Sequence, residues 1–567
     1  MRRAGWAAAA VVIGWYGFAL WILHPLTDAP VVDSWLYGSA VRRFLRTGEM
    51  RFAGFTQDMP IAQVFYGVAW SHAFGANSVS LEMSVVTLAV LCGLMFHALA
   101  IKCGAPRWQA LAATGLLICN PCFTFLSFSF MTEIPFLTAM IAAHLAFAKA
   151  EGRHDQLWMW LAAAMAVIAF MIRPFGGMAI AGCVGAMIIY DARAARANRW
   201  DRARWIKMMA PFALALAVCA ALWIWLTVLS PRSWDLQLNE NHFHFLFLVP
   251  LALYLRAGVL GPLLYLGTVL SPLALMQLAT PRWRRVLIGG ATIFVSAMLL
   301  MSMDHSLPVT PEYSCFGGWH NVLILRGQDN RFSWDDSWQY VFLVLASVGT
   351  AGLIIAFAAI FKTLGRAAAA MVTAALIYWA ATIPLWFYND RYYLVIVPAA
   401  AIVLALAPLP RRRTVQAAAF AMTLAMGLLS LGGTYAYQRG MQVILATRNE
   451  LERQGVPRSA IDAGYVLNGE DLYRYPKHGI ETMKLEAGIP MITSPKVNEY
   501  TIASGPIAGT EVVRRLRWPG TFGLGYRYFY LLKKQVTDGS PLNAAPAQGP
   551  AFENIRRGSW VDRPSWF

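Results

Sequence analysis

Val31-Val32-Asp33-Ser34-Trp35-Leu36-Tyr37 follows closely on an apolar run from about Trp6 to Leu23, and an amphipathic stretch continues from it to Met50. Reading the two together decides the fold. A helix needs roughly 17 to 25 apolar residues to cross a hydrocarbon core, so the run can span a membrane and Asp33 sits just beyond its exit. Met1-Arg2-Arg3 precedes the run, and His24-Pro25 follows it without a convincing small-residue cleavage site. The run therefore reads as a retained anchor. Runs of similar length recur along the chain, separated by short polar connections.

Composition agrees. Of 567 residues, 58% are hydrophobic and 14% charged, with a mean hydropathy of +0.49. A soluble chain of this size needs far more charge to cover its surface. The expected fold class is an all-α polytopic membrane protein, with about thirteen crossings when the runs are followed from the first. The net charge of +17 reads as membrane orientation rather than nucleic-acid binding. Its basic residues gather in alternate connections: Lys102 and Arg107, Lys149 and Arg153, Arg193 to Lys207, Arg282 to Arg285, Lys362 and Arg366, and Arg411 to Arg413. Such connections are cytoplasmic by the positive-inside rule, as is the N-terminus behind Arg2 and Arg3. The outer face then receives His24 to Asn77, Met131 to Pro135, Arg173-Pro174, Ser230 to Phe245, Asp304 to Trp338 and Tyr388 to Arg391. The stretch from Phe245 to Ala279 reads as an interfacial helix up to Arg256 with a crossing after it.

Beyond a last span ending near Gly433, no further run of membrane length occurs. Residues 1–435 are expected to form the membrane domain and 436–567 a small C-terminal α/β domain on the outer face. Arg439 to Gln454 has helical spacing, Val512 to Lys534 alternates like paired strands, and Ser540 to Pro550 reads as a linker. Seven cysteines supply no disulfide framework. Cys119 and Cys122 have the spacing of metal ligands but no second pair, and read as packing thiols.

The chemistry-bearing residues lie on the expected outer face. Asp33 opens a helix with Tyr37, Val41, Phe44 and Leu45 on one side and Arg42, Arg43, Arg46 and Glu49 elsewhere. It can be the N-cap of that helix or a catalytic acid. Glu133 in Met131-Thr132-Glu133-Ile134-Pro135 can stabilise a helix N-terminus through its dipole. Arg391 in Asn389-Asp390-Arg391-Tyr392-Tyr393 can pair locally with Asp390 and snorkel to water. Charged groups at a hydrocarbon edge are costly enough that each is also a functional candidate.

Taken in order, Asp33 to Tyr37 continuing through Thr47-Gly48-Glu49-Met50, then Thr132-Glu133, then Asp390-Arg391-Tyr392 resemble the landmarks of GT-C membrane glycosyltransferases. The likeness is to family 39, the lipid A aminoarabinose transferases and the protein O-mannosyltransferases. That resemblance implies transfer of a monosaccharide from a polyprenyl-phosphate donor to a lipid, glycan or protein acceptor at the periplasmic face of a bacterial inner membrane. It makes Asp33 the base, with Glu133 to orient that base or the acceptor. The aminoarabinose transferases carry a Glu-Lys-Pro-Pro-like element in the first loop, and the matching place here is Asp58-Met59-Pro60-Ile61. Met59 cannot hold phosphate, which leaves Arg391, with Arg173 and Arg256, as candidates for that contact. Tyr37, Asp58 and Tyr392 are candidates for the acceptor loop. The residues single out no cofactor, and a divalent metal could be held by Asp58 with His242 and His244. A carboxylate can take the acceptor's proton, an arginine fork can stabilise the departing phosphate, and one-step attack inverts the anomeric centre. The alternatives are a transporter or flippase of lipid-linked sugars, an O-antigen ligase-like transferase, and an assembly scaffold.

Overall fold

A computed structural model describes residues 2–50, 52, 59–153, 155–196, 202–226, 255–302, 325–327, 336–383, 390–474, 480–482, 493–495 and 499–535. The chain opens with α1 (Arg2–Leu23), the amphipathic α2 (Ser34–Thr47), α3 (Ile61–Phe74) and α4 (Ser78–Lys102). The bundle continues through α5 (Arg107–Ile118), α6 (Pro121–Ser127), α7 (Glu133–Arg153), α8 (Gln156–Phe170), α9 (Gly177–Arg196) and α10 (Arg202–Ile224). A π-helical turn, Leu255–Leu260, leads into α11 (Gly261–Val269) and α12 (Ser271–Ala274), followed by α13 (Trp283–Ser302) and α14 (Asp336–Ile360). Last come α15 (Arg366–Thr382), the short α16 (Asp390–Tyr393), α17 (Val397–Leu406), α18 (Arg413–Arg453) and α19 (Gly464–Arg474).

Among the described residues, seven helices are long and apolar enough to cross a membrane, and up to nine spans result if each of two bent pairs counts as one. The chain is a multi-pass membrane protein. In the first pair, α5 and α6 meet at 62°; in the second, Gly258–Val269 and Ser271–Ala279 meet at 75°. Pro121 and Pro272 open the second limbs. A proline has no N–H to offer the preceding turn, so a helix restarts there readily. The crossing expected after Arg256 is therefore sharply bent, and the interfacial helix expected before it falls outside the described residues up to 254. Small residues let helices touch backbone to backbone. A Cβ on Gly267 would lie 2.1 Å from the Ala346 carbonyl oxygen, which locks α11 against α14.

The two ends of the bundle differ. Arg366 reaches Asp191 at 3.0 Å and Glu151 at 3.8 Å, gathering three of the basic connections at one end. Gln109 donates to the Ala407 carbonyl at 2.9 Å and joins two more. Five of the six basic connections are thus brought together in two groups.

α18 contradicts one expectation. The last span was expected to end near Gly433 with a separate helix from Arg439, whereas a single helix runs through both and past the expected boundary at 435/436. Gly432 and Gly433 are buried inside it. A glycine costs a helix only about 1 kcal/mol relative to alanine, and packing on both sides outweighs that. At the far end of α18 lies a four-stranded sheet, ordered β1 (Ile461–Asp462), β4 (Tyr500–Ala503), β6 (Tyr526–Lys534), β5 (Thr510–Pro519). β1 pairs parallel with β4, and the other pairings are antiparallel. β2 (Ile480–Thr482) and β3 (Thr493–Pro495) form a separate pair. The expected paired strands over Val512 to Lys534 are β5 and β6, and the expected linker after Ser540 lies outside the described residues.

Candidate active site

Asp33 is reached through a strained turn. Val32 has φ +48°, a left-handed conformation that a β-branched residue adopts only when its surroundings impose it. The Val32 N–H donates to the Tyr437 hydroxyl of α18 at 3.3 Å. Asp33 then occupies the N-cap position of α2, but its side chain makes no capping hydrogen bond. Its Oδ2 instead accepts from Arg391 Nη1 at 3.2 Å, and its Oδ1 accepts from the Tyr465 hydroxyl at 2.8 Å. The residue stands where a cap stands, and the carboxylate is directed elsewhere.

Glu133 is placed by a second element. The segment before α7 is held by Gln63 of α3, whose Nε2 donates to the Phe130 and Met131 carbonyls at 3.0 and 3.3 Å. Glu133 is 1% exposed. Its Oε1 lies 2.7 Å from Arg173 Nη2 and 3.5 Å from Arg391 Nε. Arg173 precedes Pro174 and is therefore extended, at φ −145° and ψ 135°. That conformation also lets its Nε donate to Thr132 Oγ1 at 2.7 Å. Two carboxylates and two guanidiniums alternate along one path, from Asp33 to Arg391 to Glu133 to Arg173. The Tyr392 ring lies 5.5 Å from the Arg391 guanidinium and 5.9 Å from that of Arg173. Buried charge of this kind is tolerable only when paired and hydrogen-bonded. The path is open at its Asp33 end: the side chains of Asp33 and Arg391 are 19% and 11% exposed, against 1% for Glu133. Glu133 Oε2, although buried, has no hydrogen-bond partner among the described residues.

α19 roofs this path. Trp35, fully buried as the second residue of α2, packs edge-on against Tyr465 with ring centroids 5.8 Å apart. A Cβ on Gly469 would sit 2.5 Å from the Trp35 ring, so only glycine lets α19 settle there. Arg42 reaches Glu470 at 3.6 Å on the same contact. Truncating a buried Trp such as Trp35 to Ala costs about 3–5 kcal/mol, so the roof and the base share one packing unit.

Four of the residues singled out in the sequence, Asp33, Glu133, Arg173 and Arg391, thus meet through their side chains, and Tyr392 lies over both arginines. Tyr37 is buried one turn along α2. Arg256 lies in the π-helical turn before α11. Asp58, His242 and His244 lie outside the described residues, and among the described residues no three His, Cys, Asp or Glu side chains converge to hold a metal. Tyr465 was missed, being 432 positions from Asp33 with no motif around it. Glu82 in α4 was missed as well: it is 1% exposed, and neither carboxylate oxygen has a hydrogen-bond partner among the described residues. An acid inside an apolar span was the available signal for it.

No protein-family profile matches this chain, and no curated protein does. Among solved structures, the chain is similar to ArnT from Cupriavidus metallidurans bound to undecaprenyl phosphate, at 13% identity and a TM-score of 0.40 over 94% of this chain and 99% of that one. It is similar to the archaeal oligosaccharyltransferase AglB from Archaeoglobus fulgidus, at 15% identity and a TM-score of 0.41 over 80% and 58% of the two chains. A third likeness is to the protein O-mannosyltransferase Pmt1-Pmt2 complex of S. cerevisiae, at 16% identity and a TM-score of 0.33 over 40% and 34%. The argument for function rests on the side chains of the site itself.

Proposed function

We propose that this chain is a GT-C-type membrane glycosyltransferase that moves a monosaccharide from a polyprenyl-phosphate donor to an acceptor hydroxyl, with Asp33 as general base. The observation that carries the reading is the meeting of Asp33, Glu133, Arg173 and Arg391, drawn from four separate connections, at one end of an apolar bundle. A prenyl chain can lie between apolar helices while its phosphate reaches a guanidinium at their rim. The basic connections at the opposite end support a periplasmic site and a cytoplasmic N-terminus.

In this reading Arg391 has two occupations. It holds Asp33 Oδ2, and its fork can turn to a donor phosphate, a charge-assisted contact that frees Oδ2. Tyr465 keeps Oδ1 in place throughout. The acceptor oxygen then attacks the anomeric carbon and its proton passes to Asp33. The bond from that carbon to the phosphate oxygen breaks, and polyprenyl phosphate leaves with the electron pair. The leaving group is already a weak base, so it needs positive charge more than a proton. Glu133 keeps Arg391 and Arg173 in register, and the single base opposite the leaving group gives inversion.

The test uses purified protein with a panel of polyprenyl-phosphate monosaccharides, scored by release of polyprenyl phosphate. Wild type should turn over at least one donor. Asp33→Asn, which preserves shape, should lose about 10²- to 10⁴-fold in rate, the usual worth of general acid–base catalysis, with unchanged expression and thermal stability. Wild-type turnover in that variant overturns the base assignment.

A further inference from the structure

The β5–β6 hairpin is strongly basic and ends in exposed apolar side chains. Between Thr510 and Lys534 it carries Arg514, Arg515, Arg517, Arg527, Lys533 and Lys534 against one acid, Glu511. Strand alternation sorts the side chains. Leu516, Trp518, Phe529 and Leu531 are buried, whereas the open face shows Arg515 over Tyr528 at 4.4 Å and Arg517 over Tyr526 at 3.1 Å. At the tip Phe522 takes φ +53°, next to Gly523 at +78° and Gly525 at +72°. This tight turn leaves Phe522 38% and Leu524 77% exposed.

α18 gives the height of the tip. Its first half exposes Phe420, Leu424 and Leu429, an apolar face for lipid, and from Ser430 onward it is mostly buried. Arg439 donates to the His24 carbonyl at 2.8 Å, just where α1 ends, and Trp21, an exposed aromatic, lies on the last turn of α1. Aromatic residues favour the membrane–water boundary, so the rim of the bundle lies near Tyr435 and Arg439. Arg514 is bound to Glu450 by contacts of 2.8 and 3.2 Å. From Arg514 to Pro519, where β5 ends, the strand covers about 17 Å, which equals about 11 residues of helix. α18 ends at Arg453, and the Thr521–Gly523 turn packs against it, so the hairpin runs back along α18 toward the rim. Counted back from Glu450, that distance brings the tip to about the level of Arg439 on α18.

We propose that the Phe522–Leu524 tip inserts into the headgroup layer of an anionic membrane, with Arg515 and Arg517 on lipid phosphates above it. The surplus of basic residues selects anionic lipid, and the apolar tip supplies the insertion. The contact fixes the height of the C-terminal unit, and with it the roof that Tyr465 provides over Asp33.

The test places the full-length protein in nanodiscs of phosphatidylcholine with or without phosphatidylglycerol. A polarity-sensitive fluorophore is attached at Leu524→Cys or, at the opposite end of the hairpin, at Lys534→Cys. Parent protein labelled in parallel gives the background, and a nitroxide lipid at headgroup depth is the quencher. The label at 524 should be quenched several-fold more than that at 534, more strongly in phosphatidylglycerol discs, and the added part should vanish when Arg515→Gln and Arg517→Gln are introduced. Equal quenching at the two positions overturns insertion, and quenching at 524 indifferent to phosphatidylglycerol overturns the anionic-lipid contact. No turnover is read, so this result and the glycosyltransferase reading stand or fall separately.

Discussion

Asp33 and Asp471 are both carboxylates bridged between two partners, yet they are built for different ends. Asp471 in α19 is buried, with one oxygen on Arg448 at 2.9 Å and the other on Arg458 at 3.1 Å. Burial pushes its carboxyl above the usual range against the pull of both arginines. Its oxygens are matched by fixed guanidiniums, an arrangement that holds α18 to α19. Asp33 is partly exposed, and it has one neutral hydroxyl partner and one arginine shared with Glu133. Burial closes off the Asp471 cluster, whereas the partly exposed end of the Asp33 path can exchange a partner for a substrate. The first kind answers to stability and the second to turnover.

Variants can break this contrast. Arg391→Ala should lower kcat/KM for the donor by about 10²- to 10³-fold, the scale of removing a donor that stabilises developing charge. Arg391→Lys should restore only part of it, because a point charge cannot fork. Unchanged donor affinity and rate in Arg391→Ala would place phosphate elsewhere. Asp471→Asn should cost about 3 kcal/mol of stability, as for breaking one side of a buried pair, seen as a lower unfolding temperature with turnover per folded molecule unchanged. Should activity fall while stability holds, the two clusters have been assigned the wrong way round. Tyr465→Phe should lower kcat by about tenfold, consistent with a hydrogen bond to a charged group of about 1.5 kcal/mol. Its donor KM should not move; a change in KM alone would make Tyr465 a donor contact instead of a positioning residue.

Much of this arrangement was legible in the sequence. Charge in alternate connections predicted which loops share an end, and Arg366 with Asp191 and Glu151 joins three of them. Asp33, Glu133 and Arg391 stood out because acids and arginines are costly at the edge of an apolar run. What they do to one another was not legible. Arg173 was a phosphate candidate by charge, and the structure engages its fork with Glu133 and Thr132. The bends at Asn120 and Leu270 were hidden because an apolar run has the same composition whether straight or broken. The last span was expected to end near Gly433, but burial holds Gly432 and Gly433 in helix. Tyr465 lay beyond reach for a different reason: it is one tyrosine in a polar stretch, and its meaning comes from Trp35 packing on Gly469, a contact between distant parts of the chain.

The most direct measurement reconstitutes the protein in liposomes with a polyprenyl-phosphate monosaccharide labelled in both the sugar and the lipid. The account predicts that the labels separate, with polyprenyl phosphate released in step with sugar appearing on an added acceptor, and that Asp33→Asn stops both. Passage of the intact donor from one leaflet to the other, with its two labels still joined and no phosphate released, would make the chain a transporter and contradict the account.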